Sequence, residues 1–160
     1  MQVRYSYLLL TVAGSALIQA CSSVGTKINF KDPVAVSQTY MEALSAGQVD
    51  IVKKTQHNIG LLSNREFNEY LEYYVQNMYE RFQVQNGITN ITVTGQKIQD
   101  EEAEVSFCLK TGNEPSGDPH EMQYAYGFFD IGYDVSLIKI KSKWKVLEAS
   151  SFFGTGNCTS

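Results

Sequence analysis

The fold is decided where residues 63–87, SNREFNEYLEYYVQNMYERFQVQNG, give way to residues 88–110, ITNITVTGQKIQDEEAEVSFCLK. In the first segment apolar side chains recur at the helical period, behind a capping box formed by Ser63 and Glu66. In the second segment the apolar period falls to two, which is typical of a strand with one buried face. The pattern therefore predicts a long amphipathic helix, ending near Gly87, and then strands. The apolar stripes consist of Phe67, Leu71, Tyr74, Val75, Met78 and Phe82 in the helix and of Ala103, Val105, Phe107 and Leu109 in a strand.

Shorter elements flank this segment on both sides. Asp32 and Pro33 suit the N-cap and first position of a helix, which we expect to end at Gly47 before a short helical turn at 48–54. Further strands are predicted at Met122–Phe129, Tyr133–Lys141 and Trp144–Phe153. Helices followed by antiparallel strands define the α+β class. We therefore expect one domain over residues 32–160, with N-terminal helices packed on a curved antiparallel sheet of about four strands.

Residues 1–20 have the pattern of a secretory leader. Arg4 supplies a positive charge, an apolar run follows, and the small residue Ala20 directly precedes Cys21. The run is too short for a membrane span, which needs about 20 apolar residues. Residues 18–21, IQAC, resemble the lipobox of bacterial lipoproteins. This resemblance implies a signal peptide at 1–20, a lipidated Cys21 and a tether at 21–31; the alternative is an ordinary signal peptide with an incidental cysteine.

The residues after Cys21 bear on the destination of the chain. Ser22 and Ser23 follow the cysteine. In lipoproteins resembling those of enteric bacteria, a serine there rather than an aspartate implies transfer to the outer membrane. We therefore expect a chain that is lipid-anchored in the bacterial outer membrane and faces the periplasm, with the inner membrane and the cell surface as alternatives.

Charge argues against a nucleic-acid partner. Loss of the leader, which contains Arg4, leaves 12 basic against 17 acidic side chains, a net charge of −5. An acidic domain binds nucleic acid poorly and gains no help from anionic lipid surfaces. Lysines alternate around the last predicted turn, where a basic edge protects a sheet against edge-to-edge pairing; contact with an anionic partner is the alternative. These lysines are Lys139, Lys141, Lys143 and Lys145.

Two cysteines remain beyond the lipidated one. Cys108 and Cys158 allow a single disulfide in an oxidising compartment, although two unpaired thiols are the alternative. A bridge between them would close a loop of about 50 residues, worth roughly 4 kcal/mol in the chain-entropy model. The sequence contains no Cys-x-x-Cys and no histidine cluster, so we expect no metal site and assign no cofactor.

Two stretches resemble the NTF2-like, or cystatin-like, superfamily. Residues 32–48, DPVAVSQTYMEALSAGQ, are similar to the first helix of small members, and residues 135–146, VSLIKIKSKWKV, to their closing hairpin. The resemblance spans about residues 32–150 and extends to bacterial lipoproteins with DUF4878-like domains. It implies a cone in which helices fill the concave face of a bent sheet, and a homodimer formed through the sheet.

The resemblance leaves three kinds of function open. We favour a lipid-anchored binding or assembly module of the cell envelope, with an envelope protein as a candidate partner and no catalytic residue. The alternatives are an enzyme of isomerase, dehydratase or hydrolase type that uses the cone, and a periplasmic immunity or inhibitor protein. The two histidines, His57 and His120, lie in polar segments where solvation is expected. Candidate pocket residues are Tyr70, Tyr74, Met78, Tyr126 and Asp134.

Overall fold

Helices precede strands in the computed structural model, which describes residues 27–84, 87–111 and 131–152. The helices are α1 Pro33–Ser45, α2 Val49–Thr55 and α3 Asn64–Val84. The strands are β1 Ile88–Gln99, β2 Glu102–Thr111, β3 Ile131–Ile140 and β4 Lys143–Phe152. The leader with Cys21, the strand expected at 122–129, and the side chains of His120, Tyr126 and Cys158 lie outside these residues.

Helix α1 begins and ends at the residues that the sequence indicates. The Asp32 carboxylate accepts hydrogen bonds from the backbone N–H groups of Val34 at 2.9 Å and Ala35 at 3.4 Å. Gly47 follows the helix with φ at +68°, a left-handed conformation that side chains disfavour. A Cβ on Gly47 would also lie 3.2 Å from the ring of Tyr79, so glycine lets α1 turn closely past α3.

The capping box of α3 is confirmed. The backbone N–H of Ser63 donates to the Glu66 carboxylate at 2.9 Å, and the N–H of Glu66 donates to the Ser63 hydroxyl at 3.3 Å. Hydrogen bonds to the Glu66 carboxylate from the side chain and the backbone of Ser63 lower the pKa of Glu66, because they favour the ionised form. At the other end Gly87 has φ at +76°, and its N–H donates to the carbonyl of Phe82 at 2.8 Å. The helix thus spans the predicted segment.

The four strands form one antiparallel sheet in the order β1-β2-β3-β4. Strand β4 contains a bulge, because Val146 and Glu148 pair with consecutive residues of β3 and leave Leu147 as the extra residue. At the same place the loop after α2 joins the sheet. The backbone N–H of His57 donates to the Val146 carbonyl at 2.7 Å, next to a parallel bridge between Gln56 and Val146.

The helices cover one face of this curved sheet, which confirms the predicted α+β class. Helix α1 contacts all four strands, and Phe82 of α3 meets Tyr133 of β3 edge to face, with ring centroids 6.4 Å apart. The predicted apolar stripe of α3 faces this core, as do the alternating residues of β2. The largest fully buried side chains are Tyr40, Phe82, Phe107, Met41, Leu44, Leu71, Leu109 and Leu137.

The opposite face of the sheet is more polar. Asp134 of β3 lies there, opposite Ser106 of β2, whose hydroxyl donates to its carboxylate at 2.6 Å. Cys108 shares this face, since it alternates with the core residues of β2, yet it is only 2% exposed. A buried residue on the face away from the helices must be covered by other parts of the chain or by a partner.

The residues just before α1 lie against the β3–β4 turn. The Phe30 carbonyl accepts a hydrogen bond from the backbone N–H of Trp144 at 2.9 Å. The ammonium of Lys145 stands 4.5 Å from the centre of the Phe30 ring, within the range of a cation–π contact. Within the segment expected to be a tether, therefore, at least Phe30 is fixed to the domain.

Candidate functional site

A cleft of about 540 Å³ opens beside the bulge of β4. We call it the tyrosine cleft. Three parts of the chain form its walls, namely the loop between α2 and α3, the first half of α3 and the middle of β4. Its lining residues are Tyr40, Gln56, His57, Asn58, Ile59, Leu61, Leu62, Phe67, Tyr70, Tyr74, Leu147, Glu148 and Ala149. The volume falls in the range of small-molecule sites, about 300–1,000 Å³.

Two polar atoms of the residues that line this cleft are buried and lack a hydrogen-bond partner within the described part of the chain. The hydroxyl of Tyr40, a residue with 0% exposure, and the side-chain carbonyl of Gln56 find no hydrogen-bond partner among the described residues. Each buried group left without a partner costs about 1–3 kcal/mol. The Tyr40 hydroxyl can donate and the Gln56 carbonyl can accept, so a hydroxyl or amide group within reach of both atoms would complement them.

Burial favours the protonated phenols of Tyr40 and Tyr74. It raises the pKa of Tyr40 well above the usual value, and the nearby Tyr74 phenol adds to this shift. Burial likewise raises the pKa of Tyr74. The Tyr40 and Tyr74 hydroxyls lie near each other, and their contact raises the pKa of Tyr40 and lowers that of Tyr74, although it falls short of hydrogen-bond geometry. At neutral pH these groups therefore act as hydrogen-bond donors rather than as bases.

The outer rim of the tyrosine cleft is apolar and exposed. Leu61 is 82% and Ile59 is 61% exposed, and Tyr70 stacks on Tyr74 with ring centroids 6.0 Å apart. Asn58 holds this rim in shape from within the loop. Its amide donates to the Leu62 carbonyl at 2.9 Å, and its side-chain oxygen accepts from the N–H of Gly60 at 3.0 Å. The cleft thus combines an apolar mouth with a polar floor.

The structure brings only some of the candidate pocket residues to this cleft. Tyr70 and Tyr74 line it. Met78 is buried in the core between α3 and the sheet. Asp134 lies on the other face of the sheet with Ser106, and Tyr126 lies outside the described residues.

Sequence reasoning missed the floor of the cleft. The candidate pocket residues predicted from the sequence do not include Tyr40, and the polar segment around His57 is expected to be solvated. His57 is instead half-buried and lines the cleft. A signal was present at Tyr40, since a phenol on an apolar helix face buries a hydroxyl that must find a partner.

We expect the buried tyrosines to make the fold sensitive to alkali. Burial raises the pKa of Tyr133 to about 12, against about 10 in the unfolded chain, so the folded state holds its proton longer. The stabilisation is complete below pH 10 and is lost as the pH rises from about 10 to 12, by about 2–3 kcal/mol. Urea unfolding of the wild type and Tyr133→Phe at pH 8 and pH 11.5 measures this loss. A loss of equal size in both proteins would contradict the assignment.

No group of three or more potential metal ligands occurs within residues 27–84, 87–111 and 131–152. Across that portion of the chain, no helix combines the length and the apolar character that a membrane crossing requires.

Comparison with known proteins identifies the fold. No family model matches the chain, and no curated protein is significantly similar to it in sequence. A provisionally named NTF2-like transpeptidase of Campylobacter jejuni superposes with a TM-score of 0.59 at 16% identity, over 73% of this chain and 98% of that chain. A SEC-C motif protein of Rhodopseudomonas palustris gives a TM-score of 0.51 at 12% identity, over 78% and 82% of the two chains. The chain therefore has an NTF2-like fold.

Proposed function

We propose that the chain is an exported, lipid-anchored binding module of the bacterial cell envelope and that the tyrosine cleft holds its ligand. The observation that carries the binding function is a pair of buried atoms in the cleft that have no partner among the described residues, the Tyr40 hydroxyl and the Gln56 carbonyl. The leader and Cys21 support the location, because they match the signal and lipidation site of an exported lipoprotein.

The walls of the cleft indicate the chemistry of the ligand. Leu61, Leu62 and Phe67 offer an apolar surface, whereas the floor offers one donor and one acceptor. The described lining contains one carboxylate, Glu148, and no lysine or arginine. These features favour an uncharged amphiphile, with an apolar body and a hydroxyl or amide group that both accepts from Tyr40 and donates to Gln56.

The experiment is a titration of the mature protein with 1-naphthol, which is an uncharged aromatic alcohol at neutral pH. We expect Tyr40→Phe to weaken binding about fivefold, since one hydrogen bond contributes roughly 1 kcal/mol. We also expect Tyr40→Phe to unfold at the same or a higher urea concentration than the wild type, because the change removes a hydroxyl that has no partner in the described fold.

Tyr73→Phe is the matched control for this titration. Tyr73 lies on the exposed side of α3 and does not line the cleft, so the same atom is removed from a solvated position. Its affinity for 1-naphthol is expected to equal that of the wild type. Equal affinity of Tyr40→Phe and wild type would refute the assignment of the cleft floor. So would a marked loss of stability in Tyr40→Phe, since that would mean the hydroxyl already has a partner.

A proton-transferring enzyme is the second candidate, and His57 is the observation that favours it. His57 lines the cleft together with Tyr40 and Tyr74, so an imidazole that accepts a proton adjoins phenols that donate hydrogen bonds. Cyclohex-3-enone distinguishes the two functions, because its isomerisation to the conjugated ketone changes the ultraviolet absorbance. An enzyme would show turnover that His57→Gln abolishes, whereas a binding module leaves the ketone unchanged.

A further inference from the structure

A second cleft, of about 610 Å³, lies between the segment before α1 and the β3–β4 turn. Four lysines line it, together with Phe30, and none of them forms an ion pair within the described part of the chain. We call these four residues the basic cluster. They are Lys27, Lys31, Lys141 and Lys143. Lys145 adjoins the cluster through its contact with Phe30.

The chain itself ties this cluster to the membrane. This step rests on the proposed lipid anchor at Cys21. Lys27 is the sixth residue after Cys21, and an extended chain covers at most about 3.5 Å per residue, so the reach is about 20 Å. An anchored Cys21 therefore keeps the basic cluster close to the lipid headgroups. An equally charged cluster at the other end of the sheet would not be held there.

Charge is unevenly distributed over this end of the sheet. The net charge of −5 predicts no attraction to anionic lipid, but that sum averages over opposite charges at different places. The acidic β1–β2 turn, with Asp100 and Glu101, lies at the same end of the sheet as Lys141 and Lys143. The two turns join different strand pairs, so the acidic groups lie towards β1 and the basic groups towards β4. A domain resting on an anionic surface would thus tilt onto its β4 side.

We propose that the basic cluster docks the domain on the anionic headgroups of the bilayer that carries its anchor. Lysines next to an anionic surface attract it individually, and the attraction decays within a Debye length of about 10 Å. Docking also places the tyrosine cleft. Leu147 is five residues beyond Ser142, so the cleft lies about 16 Å along β4 from the docked turn.

The test uses the full mature chain, residues 21–160, with Cys21→Ser so that no lipid contributes. It is sedimented with vesicles of phosphatidylcholine alone and with vesicles containing about one-third phosphatidylglycerol, at 50 and 300 mM salt. We expect binding only to the phosphatidylglycerol vesicles, weaker at the higher salt. Lys141→Gln/Lys143→Gln is expected to lower the partition coefficient about thirtyfold, since each lysine near the surface contributes about fivefold.

Arg81→Gln/Lys110→Gln is the matched control. It also removes two positive charges, but from the exposed end of α3 and the far end of β2. This variant should bind as the unsubstituted chain does, and circular dichroism should show both variants folded. Equal binding to the two kinds of vesicle would overturn the docking proposal. An equal loss in both variants would also overturn it, because net charge alone would then explain the attraction.

Failure of the docking proposal can be distinguished from failure of the proposed function. The vesicle assay contains no lipidated chain and no cleft ligand, so it is independent of both. If docking fails while 1-naphthol binding still depends on Tyr40, the binding module stands and only its orientation is wrong.

Discussion

Exchange of residues 1–20 for a conventional cleavable signal, together with Cys21→Ser, is expected to move the whole protein from the membrane fraction to the soluble periplasmic fraction. Two or more acyl chains anchor a protein stably, whereas one gives only marginal binding, at about 0.8 kcal/mol per buried methylene. The described residues supply no helix that could replace the anchor. The basic cluster would leave only weak attachment, which 300 mM salt removes.

The native leader is the control in the same cells. That chain should remain with the membranes in high salt and leave them only in detergent. It should also incorporate labelled palmitate, whereas the chain with Cys21→Ser should not. A Cys21→Ser chain that stays with the membranes in salt, or a native chain with an unmodified Cys21, would show that anchoring does not depend on this cysteine.

Loss of the proposed bridge between Cys108 and Cys158 is expected to be the largest single change in stability. A covalent link across 50 residues restricts the unfolded chain and is worth roughly 4 kcal/mol in the chain-entropy model. Cys108 suits a structural role, because it is 2% exposed in β2, opposite Gly132 of β3. Cys108→Ser/Cys158→Ser should therefore unfold at a markedly lower urea concentration than the oxidised wild type.

A reductant separates the bridge from the effect of serine itself. Reduction should destabilise the wild type by about the same amount and should leave Cys108→Ser/Cys158→Ser unchanged. Mass spectrometry supplies an independent check, since oxidation of one thiol pair removes two hydrogens. Two reactive thiols in the denatured, unreduced mature protein, beyond Cys21, would rule the bridge out.

Local pattern was sufficient to predict most of the fold. The capping box of Ser63 and Glu66 lies within one helical turn, so sequence spacing alone determines it. The same holds for the alternation that buries Val105 and Phe107 in β2. In each case neighbours along the chain decide the conformation, and burial of one face decides the packing.

The tyrosine cleft could not be predicted in the same way. One wall forms because the backbone N–H of His57 donates to the carbonyl of Val146, about 90 residues later. No local sequence pattern predicts the single parallel bridge between Gln56 and Val146 beside it. The bulge at Leu147 depends on the register of two strands. Whether the Tyr40 hydroxyl finds a hydrogen-bond partner depends on which groups pack around it in three dimensions. The helical spacing of apolar residues predicts that Tyr40 is buried, but not which groups surround it.

The basic cluster illustrates a similar limit. The alternating lysines of the closing hairpin are visible in the sequence, but their proximity to Lys27 and Lys31 arises only when Phe30 pairs with Trp144. Net charge is a property of composition, whereas attraction to a surface depends on where the charges lie.

A crystal structure of the mature protein with 1-naphthol tests the central claim most directly, since it locates the two atoms on which the binding function depends. The account predicts the naphthol ring against Leu61 and Phe67, with its hydroxyl within about 3.2 Å of both the Tyr40 hydroxyl and the Gln56 carbonyl. Naphthol bound elsewhere, or a Tyr40 hydroxyl already donating to a protein group within the filled core, would contradict it.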